Sequence, residues 1–297
     1  MDVLLVGVGA MACLFAGRLA KAGTMVTMIG NWQAGVSSLR KDGVRLTEAD
    51  GREGTYPVQV VTEPVECTLV PLAIVLVKAW QTERAASQLH ACMKSDGLAL
   101  TLQNGLGNRE ALVSELGAQR VVLGVTTAGA SLTAPGHARA AGNGKVMLEA
   151  HPRLEPLADR LHEAGFTVEI VADAEALLWG KLVINAAINP LTALLRVPNG
   201  ELLRRPSARA LMAEAAREAA TVASARGIAL PYPDAVAAAE EVAERTATNI
   251  SSMLQDVLRG ASTEIDAISG AIVRAGEAAG VDTPVNRLLW RLVKGLG

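Results

Sequence analysis

The chain has 297 residues and a formal net charge of −2, and 50% of its residues are hydrophobic although only 3% are aromatic. This length favours one large domain or two of medium size, and the weak negative charge gives no electrostatic basis for binding nucleic acid or an anionic membrane. Three widely spaced cysteines, Cys13, Cys67 and Cys92, fit neither a disulfide framework nor a zinc site, and they suit a reducing compartment.

Targeting and membrane segments are not expected. The first apolar stretch follows Met1 and Asp2 without the basic segment of a secretory signal. The longest apolar segment, 176–197, contains a lysine, two asparagines, a proline and an arginine, so it makes a poor membrane helix. We therefore expect a cytoplasmic protein without a membrane span.

The first half of the chain alternates short apolar runs with helical patterns. Residues 3–6 are predicted to form a buried strand and 11–22 a helix that ends at Gly23. Further predicted elements are strands at 25–29, 73–77, 98–102 and 121–125, helices at 32–41, 81–93 and 108–116, an antiparallel excursion over 44–61, and β signals at 146–148 and 166–171. Continuous apolar strands separated by helices favour a parallel sheet covered on both faces.

From about residue 173 the strand signals vanish, and alanine- and glutamate-rich helical patterns follow. The strongest helix predictions are 207–226 and 233–246, where apolar positions recur at helical spacing. The predicted fold class is therefore α/β, with a doubly wound sheet over 1–172 followed by an all-helical domain over 173–297.

A glycine-rich turn, Gly7-Val8-Gly9-Ala10-Met11-Ala12, lies directly between the first strand and the first helix. A turn of this kind places backbone N–H groups at the positive end of the helix, where a pyrophosphate can bind. Gly7 permits the tight turn, Gly9 lets the phosphate approach the backbone, and the small Ala12 fits the third position. The pattern predicts a Rossmann-type dinucleotide-binding domain, and a tight turn without a cofactor is the alternative.

Specificity for the cofactor is read at the end of the second strand. An acidic residue there favours a free ribose hydroxyl, and an arginine favours a 2′-phosphate. Asn31 is neither, and no charged residue lies between Lys21 and Arg40. Arg40 or Lys41 could bind a 2′-phosphate only if the intervening segment folded back, so this rule does not decide between the two cofactors.

The segment 179–190 carries the most informative polar residues. Lys181, Asn185 and Asn189 are spaced four residues apart, so on a helix they form one polar stripe among small and apolar residues. A partly desolvated lysine can act as both proton donor and electrostatic stabiliser when a carbonyl is reduced. The alternative is a lysine that extends to solvent beside asparagines that bridge helices.

Other catalytic groups are not evident. Neither Tyr56 nor Tyr232 is followed by a lysine four residues later, and no metal cluster or nucleophile elbow is present, so we expect no metal site. Four histidines are interpreted as ordinary surface or loop residues: His90, His137, His151 and His162.

Further motifs follow predicted strands or begin predicted helices. Residues 78–81 and 103–107 follow strand ends, where ligands bind in open α/β folds, although Lys78 could be a helix-flanking charge and Asn104 part of a turn. Asn249 and Ser252 are predicted to lie one helical turn apart. Residues 262–266 look like a helix start with Thr263 as its cap, where Glu264 could simply complement the helix dipole.

Together these motifs resemble the ketopantoate reductase (2-dehydropantoate 2-reductase) family. The matching stretches occur in the family's order and span nearly the whole chain, at 7–9, 78–81, 104–107, 124–127, 181–194, 198–202, 249–256 and 263–266. The stretches around Lys181 and from Asn249 to Asp266 are specific, whereas the glycine turn is common to many dinucleotide-binding proteins.

The resemblance implies a Rossmann domain and an all-helical domain with the active site in the cleft between them. It implies that ketopantoate is reduced to pantoate, on the route to pantothenate and coenzyme A, with hydride delivered to C2 and Lys181 as the general acid toward the carbonyl oxygen. For the cofactor, the expected binding residues are Gly7, Val8, Gly9, Ala10, Met11 and Asn31, and Lys78 is expected near the nicotinamide. Asn104 and Asn185 would align cofactor and substrate, and the carboxylate and other oxygens of the substrate would be bound by Asn189, Asn249 and Ser252. Glu264 would bind the terminal hydroxyl of the substrate or orient Lys181.

The resemblance also bears on the choice of cofactor and on the oligomeric state. Members that use NADPH often carry an arginine where this chain has Asn31, so NADP(H) is favoured over NAD(H) by family habit alone. The family often forms dimers, so a homodimer is expected, with a small 2-oxo acid as substrate and no nucleic acid or membrane as partner. Two other functions stay open: reduction of another 2-oxo or 3-oxo acid, and nucleotide sensing without catalysis.

Overall fold

The computed structural model describes residues 2–296, and their contacts divide into two compact units. The first unit comprises the chain up to Gln103 together with Asn108–Ala174. The second unit comprises Asn104–Gly107 together with the chain from Glu175 onward. A four-residue loop from the first half of the sequence thus belongs to the second unit, which the sequence did not indicate.

The elements alternate in the first unit and are helical in the second. The strands are β1 (Val3–Val6), β2 (Val26–Ile29), β3 (Val44–Thr47), β4 (Glu53–Tyr56), β5 (Gln59–Val61), β6 (Val70–Val75), β7 (Met93–Thr101), β8 (Val121–Thr126), β9 (Ala130–Ala134), β10 (His137–Ala140), β11 (Lys145–Glu149) and β12 (Thr167–Val171). The helices are α1 (Ala10–Lys21), α2 (Gln33–Asp42), α3 (Thr82–Cys92), α4 (Asn108–Leu116), α5 (Glu155–Glu163), α6 (Ala174–Leu195), α7 (Glu201–Arg204), α8 (Pro206–Ala225), α9 (Ala235–Arg245), α10 (Ser252–Leu258), α11 (Ser269–Ala279) and α12 (Pro284–Lys294).

Within residues 2–296 the first unit contains an eight-stranded sheet in the order β12-β11-β8-β7-β6-β1-β2-β5. All neighbours are parallel except β8 and β11. Because β1 lies between β2 and β6, the carboxyl ends of these three strands share one edge, and the glycine turn follows β1 at that edge. This is where open α/β sheets bind their ligands.

Both faces of this sheet are buried. Val3 and Leu5 of β1 lie in a core that includes Leu14 of α1, whereas Leu4 lies in a second core with Leu89 of α3. Alternate residues of one strand therefore face two helical layers, which explains why β1 is apolar throughout instead of alternating. The doubly wound α/β prediction is confirmed.

One strand prediction is wrong in part of its pairing, and two strands were not predicted. Residues 44–61 were expected to form an antiparallel excursion, and β3 and β4 do pair antiparallel, but β5 joins the large sheet parallel to β2. A small sheet in the order β4-β3-β10-β9 uses two strands that the sequence did not indicate, β9 and β10. Strand pairing depends on distant segments, so local periodicity does not determine it.

Among the residues that the structure describes, the second unit contains helices and no strand, in agreement with the predicted helical region. Its core includes Trp179, Leu182 and Ala186 of α6, together with Met212 of α8 and Ile272 of α11. The buried alanines of α8 are Ala208, Ala213, Ala215, Ala216, Ala219 and Ala223. Small side chains on this face allow neighbouring helices to approach closely.

Helix α6 is long and apolar enough to cross a membrane when judged by length and composition alone, and 72% of its most apolar stretch is buried inside the protein. Core helices of globular proteins have the same character, and α6 supplies Trp179 and Val183 to the core described above.

Candidate active site

The glycine turn has the geometry of a phosphate cradle. Gly7 adopts a φ of 131°, and a Cβ there would lie 3.3 Å from the carbonyl carbon and oxygen of Leu76, so glycine is required. Gly9 precedes the first turn of α1, which has no side-chain cap and no acidic residue. Apart from Gly9 and its two chain neighbours, none of residues 2–296 has an atom within 4 Å of the position that a Cβ of Gly9 would occupy. Open space beside uncapped N–H groups fits the pyrophosphate of a dinucleotide.

The remaining cofactor-binding predictions lie around this turn. Val8 is buried, whereas Ala10 and Met11 begin α1 and are half-buried. Asn31 follows β2 and is exposed. The residues after it form helix α2 rather than a loop that folds back, and Arg40 and Lys41 lie in the last turn of that helix.

The loop that carries Lys78 is held by a buried network within the first unit. The Gln103 side-chain amide donates to the Val77 carbonyl at 3.0 Å and to the Thr82 hydroxyl at 2.8 Å. The Thr82 hydroxyl donates to Asn108 Oδ1 at 2.7 Å. Sequence reasoning gave Thr82 and Asn108 no role and gave Gln103 only a place in the motif after its strand. The three side chains become neighbours only when α3, α4 and the end of β7 are assembled.

In the second unit, the structure brings together Lys181, Glu264 and Asn104. Lys181 is half-buried on α6, and Glu264 is 7% exposed. Burial lowers the pKa of the Lys181 ammonium from its ordinary value to about 8, and the negative charge of Glu264 works in the opposite direction. Asn104 Nδ2 donates to Glu264 Oε2 at 3.3 Å. Residues far apart in sequence thus converge on one ammonium–carboxylate pair.

The turn that follows Asn104 in the chain places the Asn104 side chain beside Glu264. The Leu106 N–H donates to the Ala267 carbonyl at 3.0 Å, and Gly105 packs against the same residue with a φ of 82°. A Cβ on Gly105 would lie 2.5 Å from the Ala267 oxygen, which real structures do not tolerate. Gly105 is therefore required both for its backbone conformation and for space.

The predicted helix start at Thr263 is wrong. Helix α11 begins at Ser269, and Glu264 lies in a preceding turn in which its carbonyl accepts from the Ala267 and Ile268 N–H groups. The backbone at Ile268 has a ψ of −94°, outside the helical range, which separates this turn from the helix. Thr263 caps the turn instead, since its hydroxyl accepts from the Ile265 N–H at 3.4 Å.

The asparagine stripe lies on α6, as its spacing predicted. Asn185 is half-buried, and Asn189 is 7% exposed. Pro190 follows within the helix and has no N–H to donate to the carbonyl four residues earlier. The Thr192 hydroxyl lies within hydrogen-bond distance of two groups, the Asn189 carbonyl at 2.9 Å and the Ser251 hydroxyl at 2.7 Å. The stripe is thereby tied to the start of α10.

Asn249 and Ser252 do not lie one turn apart on a helix, contrary to the prediction. Asn249 is in the loop before α10, and the helix begins at Ser252 with Ser251 as its cap. Both predicted side chains are exposed. The Asn249 carbonyl accepts from the Asn199 N–H at 3.0 Å, and the Asn199 amide donates to Thr246 Oγ1 at 2.8 Å. The motif at 198–202 therefore positions the loop that carries Asn249.

The arrangement suits acid catalysis with charge stabilisation. A lysine whose pKa lies near 8 is largely protonated at neutral pH and still gives up its proton readily. Glu264 keeps positive charge on that lysine, and Asn104 holds one carboxylate oxygen of Glu264 in place. A polar substrate oxygen next to Lys181 would receive both a proton and electrostatic stabilisation.

Replacement of Gly105 by alanine is expected to lower stability by about 1–3 kcal/mol. It should also reduce turnover, because the new Cβ displaces the turn that holds Asn104 on Glu264. Urea unfolding measures the change in stability, and initial rates measure the change in turnover. Gly107→Ala is the matched control, since Gly107 also has a positive φ, 92°, but open space around its Cβ position. Equal losses in the two variants would show that the Ala267 contact is unimportant.

Comparison with known proteins covers both units. A family model described as "Ketopantoate reductase PanE/ApbA" matches residues 3–153, and its C-terminal counterpart matches residues 173–297. The 2-dehydropantoate 2-reductase of Archaeoglobus fulgidus is 38% identical over 299 residues, which cover 99% of this chain and 97% of that protein.

Solved structures show the same fold. A ketopantoate reductase of the PanE/ApbA family from Ralstonia eutropha is 34% identical with a TM-score of 0.92, over 100% of this chain and 98% of that one. A D-mandelate dehydrogenase in complex with NADH and anilino(oxo)acetate is 29% identical with a TM-score of 0.93, over 100% and 98%. These matches confirm the resemblance seen in the motifs and support a nicotinamide cofactor. The chain therefore belongs to the ketopantoate reductase family of oxidoreductases.

Proposed function

We propose that this protein reduces 2-dehydropantoate to pantoate, a step of pantothenate and coenzyme A biosynthesis, with Lys181 as the general acid. The observation that carries the proposal is the pair of Lys181 and Glu264, with the Asn104 amide on the same carboxylate. A ketone that accepts hydride develops an alkoxide, which needs a positive charge and a proton donor. An ammonium with a pKa of about 8 supplies both. Relatives with the name 2-dehydropantoate 2-reductase support the choice of substrate.

The cofactor supplies the hydride when it is bound, and the chain binds and orients it. Gly7, Gly9 and the first N–H groups of α1 hold the pyrophosphate in this proposal, as the cradle geometry supports. Lys78 follows β6 at the same sheet edge and is proposed to lie toward the nicotinamide end. Asn104, through its bond to Glu264, aligns cofactor and substrate at the reacting carbon.

The remaining site residues are proposed to bind oxygens of the substrate. Asn185 and Asn189 offer amide groups that can donate to a carboxylate or accept from a hydroxyl. Ser252 begins α10 and Asn249 lies in the loop before it, and the bond between Ser251 and Thr192 ties this segment to α6. Polar groups on both segments would hold the carboxylate while Lys181 protonates the carbonyl oxygen.

A second candidate function is reduction of an aryl 2-oxo acid. The structural similarity to a D-mandelate dehydrogenase, with a TM-score of 0.93, favours it specifically. The same lysine would serve, because both substrates carry a carbonyl beside a carboxylate. The two candidates differ in the group beyond the carbonyl, which is a dimethyl-hydroxymethyl unit in one case and a ring in the other.

Initial rates with three substrates distinguish these functions. We expect kcat/KM for 2-dehydropantoate to exceed those for phenylglyoxylate and 3,3-dimethyl-2-oxobutanoate by about tenfold or more. The last compound lacks only the terminal hydroxyl, so it isolates recognition of that group. A higher kcat/KM for phenylglyoxylate would establish the second candidate, and equal values for all three would contradict the specific assignment.

A cytoplasmic location and a homodimer stay predictions, whereas the preference for NADP(H) is an expectation of the resemblance that the neutral Asn31 does not support. The preference rests on family habit, and the comparisons support a nicotinamide cofactor without deciding between the two forms. Family membership as an oxidoreductase does not favour the alternative of a nucleotide sensor without catalysis.

A further inference from the structure

We propose that the adenosine end of the cofactor site recognises the free 2′-hydroxyl of NADH and disfavours the 2′-phosphate of NADPH. This inference rests on the proposed nicotinamide-dependent function and runs against the family habit. It concerns only the first unit, where the glycine turn, the end of β2 and the start of α2 lie together.

The end of β2 lies against both the glycine turn and the end of β5. The Gly30 N–H donates to the Val61 carbonyl at 3.3 Å, which joins the two strand ends. A Cβ on Gly30 would lie 2.8 Å from a methyl carbon of Val8, so the chain passes directly beside the turn. Asn31 follows at the position where dinucleotide-binding domains contact the adenosine ribose.

The groups at this position are neutral. Asn31 is exposed, and its amide can both donate to and accept from the two ribose hydroxyls. Trp32 is 43% exposed, and its indole ring packs on Gly35 so closely that a side chain there would collide with it. A phosphate dianion placed beside Asn31 would therefore meet an amide and an apolar ring rather than a guanidinium. The first turn of α2 has no side-chain cap, so it offers backbone N–H groups, but these carry only a fraction of a positive charge.

The first two cations that follow Asn31 in the chain lie in the last turn of α2. Arg40 lies in the last turn of α2, where its Nε donates to the Val60 carbonyl at 3.0 Å and its Nη2 pairs with Glu66 Oε2 at 3.4 Å. Lys41 is one residue further, so its backbone is about 12 Å along the axis from the start of the helix. The guanidinium of Arg40 is therefore already engaged by a carbonyl and a carboxylate.

The neighbouring strand end adds negative charge instead. Glu63 and Glu66 follow β5 at the same sheet edge. One oxygen of Glu66 accepts from the Thr62 and Glu63 N–H groups, which fixes its carboxylate there. The ion pair with Glu66 offsets the charge of Arg40, and Glu63 adds a further carboxylate after β5. These three groups therefore supply no net positive charge to attract a 2′-phosphate, whereas a hydroxyl needs none.

Direct binding tests the inference without any turnover. Dissociation constants for NADH, NADPH, ADP-ribose and 2′-phospho-ADP-ribose are measured by calorimetry with no substrate present. We expect NADH and ADP-ribose to bind about tenfold or more tightly than their 2′-phosphorylated counterparts. The two fragments isolate the adenosine end, and the absence of substrate separates this result from the choice of 2-oxo acid.

Substitutions at Asn31 test the residue itself. Asn31→Arg is expected to tighten binding of NADPH by about tenfold, because a guanidinium pairs with a phosphate in bidentate fashion. Asn31→Gln, which is longer but neutral, should leave the preference for NADH intact. Tighter binding of NADPH than NADH by the unaltered protein would overturn the inference, and so would the absence of binding by either. An equal gain for NADPH in both variants would also contradict it, because charge would then not be the cause.

Discussion

Replacement of Lys181 by alanine is expected to lower kcat for reduction of the 2-oxo acid by about 10²–10⁴-fold. The variant loses the group that is proposed to protonate the carbonyl oxygen and the positive charge that stabilises it. NADH and NADPH binding should change little, because the proposed pyrophosphate contacts are Gly7, Gly9 and the first N–H groups of α1, and Lys181 supplies none of them. Stopped-flow or steady-state rates, together with calorimetric binding of the cofactor, measure both quantities.

Two further variants separate the possible roles of the lysine. Lys181→Arg keeps a positive charge but holds its proton too tightly to donate it near neutral pH, so it should stay well below the unaltered enzyme. Recovery of full activity in this variant would show that charge alone matters. Lys21→Ala is the matched control, since Lys21 is exposed in the last turn of α1 and should be dispensable. A kcat unchanged by Lys181→Ala would remove this residue from the mechanism.

The part of the fold that could be predicted from sequence is the part that local pattern determines. The β1–turn–α1 unit follows from an apolar run, two glycines and a helical pattern within about twenty residues. The parallel pairing of β5 with β2 was not predictable in that way, because β5 is only three residues long and its partner strand is distant in sequence. A strand edge completes its hydrogen bonds with whatever segment the tertiary structure supplies.

The same distinction applies to the candidate site. The stripe at Lys181, Asn185 and Asn189 is visible in sequence because it lies on one helix. The bond between Asn104 and Glu264 joins residues 160 positions apart, and only the family resemblance suggested that both belong to one site. The family resemblance does not identify supporting contacts, such as the hydrogen bond between the Ser251 and Thr192 hydroxyls, which fix the position of α10 relative to α6.

The helix predicted to start at Thr263 shows how a local rule can mislead at a functional residue. A threonine followed by an acidic residue is a common beginning for a helix, and the sequence offers nothing against it. The chain instead forms a separate turn that buries Glu264 and presents the Ala267 carbonyl to Leu106. The turn departs from the predicted helix where it contacts the loop 104–107, which comes from the first half of the sequence. Exceptions to local sequence rules are expected at functional sites.

The pH dependence of turnover should depend on Glu264. As a general acid, Lys181 must be protonated, so kcat is expected to be highest below its pKa of about 8 and to fall as the pH rises through that value. The charge of Glu264 raises this pKa, against the larger effect of burial. Glu264→Gln removes the charge, so the pKa should fall and the decline in kcat should move to lower pH by about one unit.

The measurement is kcat at saturating substrate between about pH 5.5 and 10, in buffers of constant ionic strength, since kcat reports groups in the enzyme–substrate complex. Glu264→Asp should restore much of the original profile, because the charge returns on a shorter side chain. Glu277→Gln is the matched control, since Glu277 pairs with Arg287 on the surface of α11 and should not alter the profile. If Glu264→Gln lowered kcat equally at every pH, the carboxylate would act by binding the substrate rather than by setting the proton affinity of Lys181. A decline that moved to higher pH would contradict the electrostatic coupling itself.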